Sequence, residues 1–150
     1  MSEWTELVVD DDAGLRAILR TAKSVAVIGA KIGAHEPAYY VPAYLAARGY
    51  RIHPVNPKLV GETIHGVRVV GSLAELAGSV DVIEIFRRPQ FLPGHASEIL
   101  GLRWRPQAVW FQLGIRNDAA AEMLARTGIR VVQNRCMMPE HKRLIEKGVV

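Results

Sequence analysis

A chain of 150 residues, 49% of them apolar, has the size of one ordinary domain and enough apolar residues for a real core. Its single cysteine, Cys136, excludes an intramolecular disulfide and fits a reducing cytoplasm, and no apolar run approaches the ~18 residues of a membrane span. The net charge of +4 is modest and the Lys and Arg residues are scattered, which suits a polyanionic small ligand or a plain solvated surface and argues against nucleic acid.

The segment before Asp12 is polar and acidic and lacks the basic and apolar regions of a secretory leader. Residues 1–10 are expected to form a flexible N-terminal segment of a single 1–150 domain. Asp11 to Lys23 reads as a helix with Leu15, Ile18 and Leu19 on one face. Val25–Ala30 is apolar throughout and reads as a buried strand. Pro37 opens a helix whose buried face is Val41, Leu45 and Ala46, and which Gly49 ends. Arg51–Val55 is the second strand. Gly61–Val70 reads as a loop with a short strand at Val67–Val70, and Ser72 caps a short helix through Leu76. Val80–Phe86 is another buried strand, and Pro89 or Pro93 begins the next helix. Ala108–Leu113 is a strand, Asn117 or Asp118 caps a helix that Gly128 ends, Ile129–Gln133 is the last strand, and Pro139–Lys147 is a closing helix.

Strands alternating with helices predict an α/β fold, a doubly wound, mostly parallel sheet with an N-terminal helix. Ligands of such sheets bind outside the carboxyl ends of the strands. Those ends carry Lys31, Lys58, Arg87 with Arg88, Arg116 and Arg135. Cations gathered there repel one another unless an anion sits among them, and several phosphates suit the pattern.

The loop after the first strand, Gly29-Ala30-Lys31-Ile32-Gly33-Ala34, departs from the dinucleotide fingerprint G-x-G-x-x-G. Lys31 stands where a glycine admits a pyrophosphate. Asn56-Pro57-Lys58 stands where an acid binds the ribose of NAD. Both departures point away from NAD and towards a ligand with more phosphate.

Val27-Ile28-Gly29-Ala30, Pro54-Val55-Asn56-Pro57, Phe86-Arg87-Arg88-Pro89, Trp110-Phe111-Gln112-Leu113-Gly114 and Arg135-Cys136 occur in an order and spacing that resembles the small stand-alone CoA-binding proteins. Their domain is similar to the CoA-binding domain of the succinyl-CoA synthetase α subunit. The resemblance runs from Lys23 to the C-terminus and implies a Rossmann-like domain that binds coenzyme A. It implies that the turn Gly29, Ala30, Lys31, Ile32 holds the CoA phosphates and that Asn56, Pro57 and Lys58 meet the adenosine end, with Lys58 facing a phosphate. It implies further that Phe86, Arg87 and Arg88 wall the adenine or pantetheine arm, that the pantetheine runs along Gln112, Leu113 and Gly114, and that Asn134 and Arg135 complete the site. Relatives often carry a Ser or Thr in the first loop and an Asp before the Arg-Cys pair. Here Lys31-Ile32 and Asn134 stand instead.

The succinyl-CoA synthetase reaction needs a phosphorylated histidine held in a second domain, and a single 1–150 domain is not expected to supply it. His53, inside the second strand, reads as a packed histidine and His35 as a solvated loop residue. Cys136 is a candidate redox or mixed-disulfide thiol, because a neighbouring Arg135 and a helix N-terminus both lower a thiol pKa; a partly buried packing cysteine is the plain alternative. The expected function is binding of CoA or an acyl-CoA as a carrier, store or sensor with no catalytic residues and no metal. The rivals are an NAD(P)- or nucleotide-sugar-dependent enzyme on the same fold, and a regulatory subunit with CoA as effector.

Overall fold

The computed structural model describes residues 3–147. Its strands are β1 (Ser24–Ile28), β2 (Arg51–Val55), β3 (Thr63–Ile64), β4 (Val67–Arg68), β5 (Val82–Ile85), β6 (Ala108–Phe111) and β7 (Arg130–Val132). Its α-helices are α1 (Asp12–Thr21), α2 (Pro37–Ala47), α3 (Leu92–Leu100), α4 (Asp118–Ala125) and α5 (Met137–His141). Five strands form one parallel sheet in the order β2-β1-β5-β6-β7, and β3 with β4 is a small antiparallel hairpin.

Strands β1, β5 and β6 are buried along their whole length, because helices cover both faces of the sheet. On one face α1, α2 and α5 pack on Val25, Val27, Val82 and Trp110. On the other, α3 and α4 pack on Ile28, Ile83, Ile85, Val109 and Phe111. Each fully buried Leu, Ile or Phe contributes roughly 1.5–3 kcal/mol, so Leu15, Ile18 and Leu19 alone anchor α1 firmly. The chain runs outward from β1 to β2 and then crosses back to β5 on the other side of β1. The carboxyl ends of β1 and β5 therefore flank the point where the winding reverses, the usual ligand crevice of such sheets.

Several local expectations shift. The segment Gly61–Val70 carries two short strands, since the tight turn at His65 (φ 53°) and Gly66 (φ 78°) folds Thr63–Ile64 back on Val67–Arg68. Ser72 precedes a single 3-10 turn, Leu73–Glu75, and its hydroxyl bonds Glu75 Oε1 at 3.3 Å rather than a backbone N–H. The buried face of α2 includes Ala38 and Tyr44 beside Val41 and Leu45, while Ala46 is only half-buried. Pro89 opens a 3-10 turn, Pro89–Phe91, that leads into α3. Asn117 is the cap of α4, its side chain accepting from Ala120 N–H at 2.9 Å. The closing helix starts at Met137, two residues before Pro139, and widens into a π turn over Lys142–Glu146.

Of the segment expected to be flexible, residues 1 and 2 lie outside the described residues. From Glu3 the chain forms an exposed 3-10 helix, Glu3–Leu7, that leads into the buried Val9, whose N–H donates to Val131 O at 2.8 Å. Trp4 and Leu7 rest against the α3–α4 side of the core.

Candidate functional site

The turn after β1 is shaped by one glycine. Gly29 adopts φ 84°, and a Cβ there would lie 2.4 Å from the carbonyl oxygen of Phe86 at the end of β5. Only glycine lets the two strand ends close up this way. The Gly29 N–H is engaged by Val55 O at 3.0 Å, so it is not free for a ligand. The Lys31 and Ile32 N–H groups have no hydrogen-bond partner among the described residues, and neither does that of Ala38 in the first turn of α2. Free N–H groups at a loop and a helix start are the donors an anion uses.

Above the carboxyl ends of β5 and β6 lies a cleft of about 550 Å³. Lys31 and the start of α2 (Glu36, Ala38, Tyr40) form one wall, Phe86, Arg87 and Arg88 a second, and Gln112, Leu113 and Gly114 a third, with Cys136 at one end. Its size falls within the range of small-molecule sites, roughly 300–1,000 Å³. A smaller cavity of about 100 Å³ lies at the ends of β1 and β2, against Gly29, Asn56, Pro57, His95 and Glu98. Arg87 lines both spaces. A third, polar cavity of about 440 Å³ shares Leu113 and Cys136 with the cleft and contains Asn134 and Arg135.

The cations expected at the strand ends divide into two groups. Arg135 is held by protein carboxylates, with Nη2 2.7 Å from Asp10 Oδ1 and Nη1 2.7 Å from Glu140 Oε1. Arg116 pairs with Asp118 at 3.2 Å, and Lys31 makes a long, exposed contact of 3.9 Å to Glu36. Much of the expected mutual repulsion is thus relieved by the chain's own acids. Arg87 lies over the Phe91 ring at 4.5 Å and has no carboxylate partner among the described residues, and the same holds for Arg88 and Lys58. Lys58 is exposed on the 3-10 turn Pro57–Leu59 and lines none of these cavities.

Several other expected residues support the site from behind. Asn56 donates to Ala30 O at 2.9 Å and accepts from Lys58 N–H at 2.9 Å, fastening the first loop to the end of β2. Asn134, at φ 57°, accepts from Gly114 N–H at 2.7 Å and so fixes the third wall. Gln112 is buried, and its Oε1 accepts from Met137 N–H at 3.2 Å. Ala30 is buried and Ile32 is exposed, and neither side chain lines these cavities. The sequence reading missed Glu36, Ala38, Tyr40, His95 and Glu98. For the last two a signal existed, because i and i+3 on a helix share a face.

Cys136 is half-buried, and the expected thiolate activation is not realised. Burial pushes its pKa up, and the Gln112 amide and the Met138 N–H pull only partly the other way. Arg135, expected to lower it, points to Asp10 and Glu140 instead, and α5 is a five-residue helix with little dipole to offer. Glu84 adds to the rise. That carboxyl, at the centre of β5, is wholly buried and both its oxygens lack a partner; burial pushes its pKa up to about 8. His53 is half-buried in β2 with its pKa lowered by burial, and His35 is exposed in the first loop. Among the described residues no group of His, Cys, Asp or Glu is arranged to hold a metal ion, and no helix is long and apolar enough to cross a membrane.

Residues 23–142 match the family model of a CoA binding domain. The Bacillus subtilis (strain 168) protein YneT, itself uncharacterized, is 33% identical over 129 residues, spanning 86% of this chain and 93% of that protein. A solved Thermus thermophilus structure is 46% identical with TM-score 0.85, covering 91% of this chain and 100% of that one. A hypothetical protein from Pyrococcus horikoshii is 31% identical with TM-score 0.83, covering 97% and 99%. The five-stranded parallel sheet, the glycine turn after β1 and the cleft at the carboxyl ends of the strands accord with this match, and the chain belongs to the CoA-binding domain family.

Proposed function

We propose that this protein binds coenzyme A, or an acyl-CoA, across the carboxyl ends of the sheet strands, as a carrier, store or sensor with no catalytic apparatus of its own. The observation that carries the reading is Arg87. It is free of carboxylate partners and lines both the large cleft and the small cavity, so one elongated anionic ligand can occupy both spaces around it. In this reading the pyrophosphate lies against Gly29, Ala30, Lys31 and Ile32 and the first turn of α2. The pantetheine arm follows Phe86 and Gln112-Leu113-Gly114 towards Cys136. The adenosine end lies by Asn56-Pro57-Lys58, with Arg88 an added cation at the rim. Asn134 and Arg135 act by holding the walls. A cytoplasmic setting fits such a ligand.

The missing ribose-binding acid after β2 supports CoA over NAD. Thermal melts with added ligand test the reading, because a ligand that binds only the native state raises Tm. The expected order is CoA first, dephospho-CoA second, and NAD, NADP and ATP last. Equal shifts from NAD and CoA would overturn it.

A further inference from the structure

A polar pair, His95 and Glu98, lines the small cavity. His95 Nδ1 lies 3.1 Å from Glu98 Oε1, one turn apart on α3. Glu98 Oε2 accepts from Leu73 N–H at 3.3 Å. Both carboxylate oxygens are thus engaged, and together these bonds hold its pKa below the ordinary value. The imidazole side chain is only 19% exposed, and the Nδ1 contact with Glu98 orients its ring. With Nδ1 facing Glu98, the other ring nitrogen is left for a ligand.

The remaining polar groups around this cavity narrow the choice of ligand. Asn56 is engaged on both its amide atoms by Ala30 and Lys58. Arg87 is the cation without a carboxylate. Gly29 and Gly71 contribute no side chains to fill the space. At about 100 Å³ the cavity is far below the roughly 300 Å³ floor of small-molecule pockets, which suits one compact group rather than a base with its ribose.

We propose that His95, held by Glu98, and Arg87 form a subsite for a phosphate monoester, the group on the ribose that separates CoA from dephospho-CoA. The inference rests on the CoA reading and refines it: Lys58, on its exposed turn, is not the discriminating residue. The Glu98 contact at Nδ1 fixes the ring and leaves Nε2 as the nitrogen that can meet a phosphate oxygen. Glu98 is the positioning residue, and His95 and Arg87 touch the phosphate oxygens.

The test is titration calorimetry of wild type, His95→Gln and Lys58→Ala with CoA, dephospho-CoA and adenosine 3′,5′-bisphosphate, after melts show each variant folded. Loss of a charge-assisted hydrogen bond should weaken CoA and the bisphosphate by roughly tenfold or more in His95→Gln while leaving dephospho-CoA unchanged. Lys58→Ala should affect CoA and dephospho-CoA alike. Equal weakening of CoA and dephospho-CoA by His95→Gln, or no weakening of either, overturns the subsite, as does selective loss of CoA in Lys58→Ala alone. If His95→Gln does not fold, Glu98→Gln, which keeps an acceptor for Leu73 N–H and removes the charge beside His95, must show the same selective loss or the subsite is wrong. No CoA binding to wild type would instead overturn the CoA reading itself.

Discussion

Glu84 stands opposite Trp110 in the register of β5 and β6, yet the indole N–H turns away from it and donates to Arg135 O at 2.8 Å. The tryptophan thus ties the sheet to the segment before α5, and the carboxyl is left in an apolar core with nothing to bond. A buried, unpartnered carboxyl stays protonated, which is why its pKa rises to about 8.

That pairing sets a pH dependence. In the unfolded chain Glu84 returns to the ordinary value of 4.5, while in the native state it holds its proton up to about 8. Its contribution is complete below pH 4.5 and is lost as pH rises through about 8. His53, His65 and His141, lowered by burial, act in the opposite direction at the acid end, so the clean measurement is a difference. Glu84→Gln removes the titration. Its Tm relative to wild type should rise by on the order of ten degrees between pH 5 and pH 8.5, at roughly 1.4 kcal/mol per pH unit within the window. A difference independent of pH would contradict the burial.

Gly29→Ala should destabilise the fold by roughly 2 kcal/mol or more, because it combines a positive φ with a Cβ driven into the Phe86 carbonyl. Denaturant melts read this directly. A variant as stable as wild type would show that the two strand ends are not closed up as described.

Cys136 should be a slow thiol. With burial holding its pKa up, alkylation by iodoacetamide at pH 7.5 should run roughly tenfold or more below the rate of free cysteine, since only the thiolate reacts. CoA disulfide should add to it slowly for the same reason. A faster rate than free cysteine would mean that a cation reaches the sulfur, and Arg135 would have to leave its carboxylates to do so.

Arg135 links Asp10 to Glu140, and so joins the N-terminal segment to α5. In Arg135→Ala the Val9 amide, bonded to Val131, should exchange with solvent roughly tenfold faster, as expected for a local opening, while CoA affinity stays within about twofold. Collapse of CoA affinity with unchanged exchange would make Arg135 a ligand contact instead of a clamp.

The fold was largely readable from the chain, for a physical reason. Short, fully apolar runs such as Ala108–Phe111, bounded by prolines and glycines, read as strands covered on both faces. The hairpin at Thr63–Arg68 was half hidden because its strands are two residues long and bury little. The walls of the cleft were readable because strand ends are fixed by topology. Which cations are free was not, since Arg135 meets Asp10 only through a contact 125 residues apart in sequence. The His95–Glu98 pair was visible as a helical spacing, but its place beside Gly29 depends on how α3 lies across the sheet.

Titration calorimetry of the wild-type protein with CoA and with NAD tests the central claim most directly. The account predicts saturable one-to-one binding of CoA, weakened by salt because Lys31, Arg87 and Arg88 supply the charge, and at least roughly tenfold weaker binding of NAD. No heat from CoA, or equal affinity for the two, would contradict it.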